Sequence, residues 1–303
     1  MEASFVNALP EDLVVNIRSM CGPRGQEWLG CLPELIKKLE RIWSIDAGMV
    51  YPAAGFNYVA PATGRNGESY VLKLSPPFET AEFASETAFL RSQNGSGCVR
   101  LIDERPEYRA LLLERAVPGE TMNVIYAERE PQCVEPAIDV LRALMKRAAD
   151  PPKEAIRLDT WFENLHRAQG TAFPPDYATK AIEIYDRLGR YNVMYLHGDF
   201  HPLNIVTATR EPFLLIDPKG IVGSIGYEIA VFLNNFHWWQ DERPDILERL
   251  AVAVKQFAEA FGFSERELRE WAFAQMVISA WWTFDELPNE YDNEVAKADI
   301  WGI

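Results

Sequence analysis

The sequence predicts an α+β chain of two lobes, a small β-rich lobe followed by a larger, mostly helical one. Three observations carry this. Short β-prone runs crowd into residues 49–114 with one helical stretch among them. Pro118-Gly119 then punctuates the chain. Beyond it helical periodicity dominates, interrupted only around residues 195–216. At 303 residues the chain is long enough for two lobes with a substantial core. The expected division is 1–116, an N-terminal helix with the β-lobe, and 117–303, the helical lobe.

Each element follows from its local pattern. Leu32, Leu35, Ile36, Leu39, Ile42 and Trp43 recur at helical spacing, so residues 33–43 are expected to form an amphipathic helix with Pro33 in its first turn. From Met49 the period changes. Phe56–Ala62 and Ser69–Leu74 are β-prone and are joined by Gly64-Arg-Asn-Gly67, an Asn-Gly hairpin signal. Thr80–Arg91 reads as a helix, and Val99–Ile102 and Ala110–Leu113 as two more strands. Later helices are expected at 134–148, 154–168, 177–190, 226–240, 244–261 and 264–285. The clear strands of this half, Ile205–Thr207 and Phe213–Ile216, flank a turn at Ala208–Pro212. There is no internal repeat and no low-complexity tract.

The most informative stretch is Tyr195-Leu-His-Gly-Asp-Phe-His-Pro-Leu-Asn-Ile-Val206 with Phe213-Leu-Leu-Ile-Asp-Pro-Lys-Gly220. An apolar approach delivers Asp199, and five residues later comes Asn204. The hairpin folds back and returns Asp217 beside Asn204. Phosphoryl transfer needs this set: a carboxylate to accept a proton from an attacking hydroxyl, and an Asn and an Asp to hold Mg²⁺ on nucleotide phosphates. A metal hydrolase is the rival chemistry, because His197, Asp199 and His201 alternate as strand-face residues would and suit zinc. It leaves Asn204 and Asp217 without a role. The other two histidines, His166 and His237, sit in no ligand-spaced cluster. The plain alternative is a structural hairpin with solvated acids.

A β-lobe, a connector and a helical lobe holding one such hairpin is the layout of a protein-kinase-like fold. Its other parts have counterparts here. Lys73 is centred in the apolar strand Val71-Leu-Lys-Leu74, where an unpaired ammonium is costly to bury. Kinase-like enzymes aim such a Lys at the α- and β-phosphates of ATP and brace it with a helical Glu. Glu86 is the expected brace and Glu82 the alternative. Tyr51-Pro-Ala-Ala-Gly-Phe-Asn57 stands where a phosphate-covering loop belongs, with Gly55 as its one glycine. Glu114, Arg115 and Ala116, at the connector, are expected to offer backbone groups to the adenine edge. Glu228 is read as support for the catalytic loop.

Composition bounds the partners. The formal net charge of −15 sets aside nucleic-acid binding through a basic face. It would attract a cationic small substrate, although solubility is the better account of the charge and the charge alone moves the substrate argument very little. No apolar run approaches the roughly 20 residues that span a bilayer. The N-terminus has no basic n-region of a secretory signal. Cys21, Cys31, Cys98 and Cys133 are scattered and read as free thiols in a reducing, cytoplasmic compartment.

Together these residues resemble the aminoglycoside phosphotransferase superfamily, and within it the streptomycin 6-phosphotransferase and hydroxyurea phosphotransferase branch. The likeness covers about residues 27–240 and rests on Trp28-Leu-Gly-Cys-Leu-Pro33, Val71-Leu-Lys-Leu74, Leu112-Leu-Glu-Arg115 with Pro118-Gly119, His197-Gly-Asp-Phe-His201 with Asn204, and Ile216-Asp-Pro-Lys-Gly220. It implies that Asp199 is the catalytic base, that Asn204 and Asp217 hold Mg²⁺ and that Lys73 positions ATP. Acids that the family places near positions 224 and 228 appear here as Ser224 and Glu228. The resemblance implies a small-molecule hydroxyl acceptor, with a cationic, streptomycin-type aminocyclitol first and a sugar- or nucleoside-like metabolite as the alternative. A non-catalytic nucleotide-binding module is set against by the intact Lys73, Asp199, Asn204 and Asp217. The chain after Leu233 is least family-like. It is rich in aromatics and acids: Phe236, Trp238, Trp239, Trp271, Trp281, Trp282, Phe284, Asp285 and Glu286. Core packing accounts for most of the rings. His201, Asp285 and Glu286 are the residues expected to meet the acceptor.

Overall fold

The computed structural model describes residues 5–78, 81–126, 132–146, 150–238, 245–286 and 292–303. The chain divides into two compact units, Met1–Gly95 with Val99–Val117, and Ser96–Cys98 with Pro118–Ile303.

In the first unit, α1 (Glu11–Trp43) precedes β1 (Ile45–Ala47), β2 (Tyr58–Gly64), β3 (Ser69–Leu74), α2 (Glu82–Gln93), β4 (Leu101–Arg105) and β5 (Ala110–Glu114). Residues 33–43 are therefore only the end of a longer helix, and Pro33 lies inside it. The apolar stripe continues back through Leu29, Ile17 and Leu13, which are fully buried. Gly22 breaks the helix with φ 54° and ψ −134°. The residue before Pro23 is pushed out of helical backbone, and glycine takes the positive φ without a Cβ clash. Pro23 then starts the second helical segment, where its missing N–H costs nothing.

The strands form one antiparallel sheet in the order β1-β2-β3-β5-β4. The β2–β3 turn uses Gly67 at φ 84°; its N–H donates to Gly64 O at 2.9 Å, and Gly64 N–H to Glu68 O at 2.8 Å. Strand alternation puts Tyr58, Ala60, Leu72 and Leu74 into one core with Leu29, Leu32 and Leu39 of α1. Lys73 consequently points to the opposite face.

In the second unit, β6 (Pro118–Thr121), α3 (Met122–Ile125) and α4 (Val134–Met145) lead to β7 (Ile156–Arg157), α5 (Leu158–Leu165) and α6 (Pro175–Leu188). Then come β8 (Val193–Leu196), β9 (Ile205–Ala208), β10 (Phe213–Leu215) and β11 (Ile221–Ser224). The chain ends with α7 (Ile225–Trp238), α8 (Ile246–Phe261), α9 (Glu265–Glu286), α10 (Asp292–Ala298) and a 3-10 turn, Asp299–Trp301. Two three-stranded sheets result, β10-β9-β6 and β7-β11-β8. Residues 154–168, expected as one helix, open instead with β7, which pairs parallel to β11. Pro118 starts the edge strand β6, where a missing N–H is tolerated. Trp271, Trp281 and Phe284 are buried in the helical core. The side chains of Phe236, His237 and Trp238, and all of Trp239, lie outside the described residues. Among the described residues no helix is long and apolar enough to cross a membrane.

Gly226, in the first turn of α7, lies so close to Trp271 that a Cβ there would overlap the indole ring. Trp271 is itself packed edge-on to Phe162, Tyr185 and Tyr227 at 6.2–6.5 Å between centroids. Alanine normally favours a helix over glycine by about 1 kcal/mol. Here Gly226→Ala is expected to destabilise the protein by about 1–3 kcal/mol through overpacking. Chemical denaturation of the two proteins checks the sign.

Candidate active site

The site is built at the end of β8. That strand pairs antiparallel with β11 in the register Leu196↔Ile221, which fixes where the chain emerges. His197 follows, fully buried. Its carbonyl accepts the N–H groups of Lys219 and Gly220 at 2.8 and 3.0 Å. Its ring Nε2–H donates to Ile216 O at 2.9 Å, and Nδ1 accepts Asp199 N–H at 3.2 Å. Burial lowers the imidazole pKa to about 4. A neutral ring with both nitrogens engaged by the backbone has no lone pair for zinc, which removes the hydrolase reading of His197–Asp199–His201.

Gly198 has φ 84°, and a Cβ there would crowd Ile221 and Lys219 at 3.0–3.2 Å. Its N–H donates to both oxygens of Glu228, at 3.1 and 2.9 Å. Glu228 is wholly buried in the first turn of α7. Burial, reinforced by the charge of Asp199, pushes its pKa up to about 8. At position 224 the chain carries a buried Ser whose Oγ accepts Gly226 N–H at 3.2 Å and so caps α7.

Asp199 keeps 29% of its side-chain surface exposed. Burial alone would raise its pKa. The Lys219 ammonium, followed by His201, outweighs it and holds the carboxyl well below the usual carboxylate range. The His201 Nε2 is 3.7 Å from Asp199 Oδ1. Asn204 is buried, and its Nδ2 donates to Asp199 O at 3.0 Å and Oδ2 at 3.2 Å and lies 3.1 Å from His201 Nε2. The hairpin register Leu215↔Ile205 lets Ile216 N–H donate to Asn204 O at 3.0 Å. Asp217 is thus one residue past the partner of Asn204. It is exposed and takes φ 59°, a left-handed conformation that costs a non-glycine residue about 1–2 kcal/mol. Such strain clusters at functional sites.

A cavity of about 270 Å³ opens on this loop, lined by Asp199, His201 and Lys219 with Tyr227 and Asn235 of α7 and Gln275, Ser279 and Trp282 of α9. Of the expected acceptor residues, His201 is there. Asp285 is not among the lining residues; it is exposed and pairs with Arg167 at 3.2 Å. The Glu286 side chain lies outside the described residues. Sequence reasoning missed Tyr227, Asn235, Gln275 and Ser279. Their signal was available: Tyr227, Val231 and Asn235 are four apart on α7, and Gln275, Ser279 and Trp282 follow helical spacing on α9. Polar residues repeated on one face of an apolar helix mark a lined cavity or a buried network.

In the first unit Lys73 Nζ meets Glu86 Oε1 at 2.6 Å, with both side chains buried. Glu82, the alternative brace, is exposed. The Gly55 carbonyl accepts Asn16 Nδ2 of α1 at 3.1 Å, so α1 anchors the Tyr51–Asn57 loop through a residue that the sequence had not flagged. Glu114 N–H, at the end of β5, donates to Arg100 O at 2.9 Å, and Glu114 Oε2 accepts Arg100 N–H at 2.9 Å. Arg115 is exposed and Ala116 half-buried.

This geometry agrees with relationships to known proteins. Residues 46–286 match the family described as aminoglycoside/hydroxyurea antibiotic resistance kinase. The chain belongs to this family. It is a phosphotransferase with a hydroxyl acceptor. The streptomycin 6-kinase of Streptomyces glaucescens is 26% identical over 301 residues, covering 94% of each chain. Among solved structures, a choline/ethanolamine kinase family protein from Mesorhizobium loti has TM-score 0.67 at 14% identity, covering 89% of this chain and 94% of that one. A ternary complex of the aminoglycoside phosphotransferase APH(4)-Ia with ADP and hygromycin B has TM-score 0.57 at 15% identity, covering 86% and 94%. The fold is protein-kinase-like.

The buried groups set a pH signature. Glu228 is raised from an ordinary 4.5 to about 8, so the folded state holds a proton that the unfolded chain releases, and stability falls with rising pH across that interval. His197 is lowered from 6.5 to about 4, so its contribution rises with pH between those values. The two slopes oppose each other below 6.5, and above it Glu228 acts without His197. Between pH 6.5 and 8 the protein is expected to lose on the order of 1–2 kcal/mol relative to Glu228→Gln, which keeps an acceptor for Gly198. Urea unfolding at the two pH values measures this; equal slopes in the two proteins would exclude a protonated Glu228.

Proposed function

We propose that this chain is an ATP- and Mg²⁺-dependent kinase that phosphorylates a hydroxyl of a streptomycin-type aminocyclitol. One observation carries the reading: an ionised, partly open carboxylate, Asp199, faces the cavity from a clamped loop, with two hard oxygen donors beside it on the hairpin. In this reading Asp199 binds and orients the acceptor hydroxyl and takes its proton. A carboxylate with so low a pKa is a weak base. Phosphoryl transfer tolerates that, because its loose transition state leaves the proton on the hydroxyl until late. Orientation is then the larger part of its contribution.

The amide N–H groups of Asn204 are directed at Asp199, which leaves Oδ1 to act with the Asp217 carboxylate. Hard oxygens of this kind suit Mg²⁺, which usually takes one or two protein ligands and completes its shell with phosphate and water. When bound, Mg²⁺ neutralises charge on the transferred phosphoryl group. Lys73, held by Glu86, would meet the α- and β-phosphates. The loop containing Gly55 would offer backbone N–H groups, and Glu114, Arg115 and Ala116 would offer backbone groups to adenine. The net charge of −15 supports a cationic acceptor and argues against nucleic acid or an anionic membrane surface as partners. Four free cysteines support a reducing cytoplasm.

Asp199→Asn is expected to lower turnover by roughly 10²–10⁴-fold while the KM for ATP stays near that of the wild type. Coupled ADP release with streptomycin as acceptor measures both; near-normal turnover would remove Asp199 from the chemistry. Added salt should raise the KM for streptomycin, because screening weakens attraction of a cation to this charge. A salt-independent KM would reject a cationic acceptor and leave the role of Asp199 standing.

A further inference from the structure

Asn16 reaches across 39 residues of chain to the Gly55 carbonyl, which accepts its Nδ2–H at 3.1 Å. A carbonyl can only accept, so this bond fixes which end of the Asn16 amide is nitrogen. The reach depends on how α1 folds back on itself. Gly22 breaks the helix, and beyond the break Gly25 lies so close to Ile17 that a Cβ there would overlap the Ile17 carbonyl oxygen. Arg18 Nε donates to Gln26 Oε1 at 2.8 Å across the same bend. Residues 11–21 are thereby held in place, with Leu13, Val14 and Ile17 in one core with Ala54 and Tyr58. The loop itself is a closed turn: Tyr51 N–H donates to Val59 O at 2.8 Å, and Ala54 N–H to Tyr51 O at 3.0 Å.

The Gly55 carbonyl and the Phe56 N–H belong to one peptide unit. A trans peptide is planar, and its C=O and N–H point in opposite directions. With the carbonyl held toward α1, the Phe56 N–H points away from α1. It has no partner among the described residues, and the Phe56 side chain is exposed. Lys73 also lies away from α1, on the sheet face opposite Leu72 and Leu74. We propose that Asn16 is a positioning residue for the nucleotide: by holding the Gly55 carbonyl it aims the Phe56 N–H at a phosphate oxygen of ATP. This rests on the kinase reading given above. It gives α1 a part in nucleotide affinity, through a residue outside the stretch 46–286 that matches the family. The Asn16 amide does this without touching the nucleotide. The group recognised is an anionic oxygen, because an N–H can only donate, and adenosine carries no such oxygen.

Two variants test it. Asn16→Leu keeps the shape of the side chain and removes the donor, and Asn16→Ala removes both. Each is expected to raise the Kd for ATP with Mg²⁺ about threefold to tenfold, the worth of one hydrogen bond, and to leave the Kd for adenosine unchanged. Calorimetric titration without an acceptor measures both. A purely structural role would change both constants or neither. The direction of the N–H is also read in the wild type alone. In ¹⁵N spectra the Phe56 amide resonance should shift with ATP and much less with adenosine. An unchanged Kd for ATP in both variants overturns this inference alone, and so does a Phe56 amide that responds equally to ATP and adenosine. Wild type that binds ATP no more tightly than adenosine overturns the ATP reading and this inference with it. Wild type that binds ATP as expected but transfers nothing to streptomycin overturns the acceptor reading and leaves the role of Asn16 standing.

Discussion

The position of Asp199 depends on the bond from Gly198 N–H to the buried Glu228 carboxyl. It joins a glycine that must hold positive φ to the first turn of α7. A buried acid is costly unless it is neutral or well bonded. This one achieves both, with its pKa pushed up and its oxygens facing a backbone donor. Neutrality has a second consequence, because two ionised carboxylates packed together would repel. A protonated Glu228 lets Asp199 alone carry the negative charge, and Lys219 and His201 then stabilise it. The same turn of α7 supplies the Ser224 cap, the Gly226 contact with Trp271 and Tyr227 beside the cavity. One helical turn thus anchors the Gly198–Asp199 loop and lines the cavity beside it.

The first unit contains a different solution to a buried charge. Lys73 and Glu86 are paired at 2.6 Å, with 4–5% exposure. Such pairs rarely add net stability, since desolvation consumes most of the attraction. Their value is positional. The pair holds an ammonium on the sheet face opposite α1, at a place where an unpaired Lys would either lose its proton or turn to water.

The placement of the residues proposed to carry the chemistry was legible because they are closely spaced and the hairpin between them has a local turn signal. Asp199, Asn204 and Asp217 come together through one short ladder, and Lys73 and Glu86 lie thirteen residues apart on adjacent elements. Helix positions in the second unit were legible from periodicity to within a few residues. Pairings between distant segments were not: nothing local in Ile156–Arg157 or Ile221–Ser224 announces that they share a sheet. The helical break at Gly22 lies in the part of α1 before residue 33, where no helix was expected, and residues 22–27 carry no apolar side chain that would have signalled one. Asp285 was chosen for its charge and its neighbouring tryptophans, yet its place on α9 points it to Arg167. Tyr227, Asn235, Gln275 and Ser279, which line the cavity, are neutral amides and hydroxyls, which carry little signal one at a time.

This contrast separates attraction from recognition. A formal charge of −15 acts at long range and raises the encounter rate of a cation. Inside the cavity, Asp199 faces Lys219, and the remaining polar lining includes Tyr227, Asn235, Gln275 and Ser279. Any selectivity by contact in such a cavity would fall to hydrogen bonds from these neutral groups. Sites that bond a substrate oxygen reject an analogue lacking it more strongly than apolar pockets reject a missing methylene, because the unmatched polar group is left buried and unpaired. An enzyme arranged this way can draw in many cations by charge and still select among them by the placement of their oxygens.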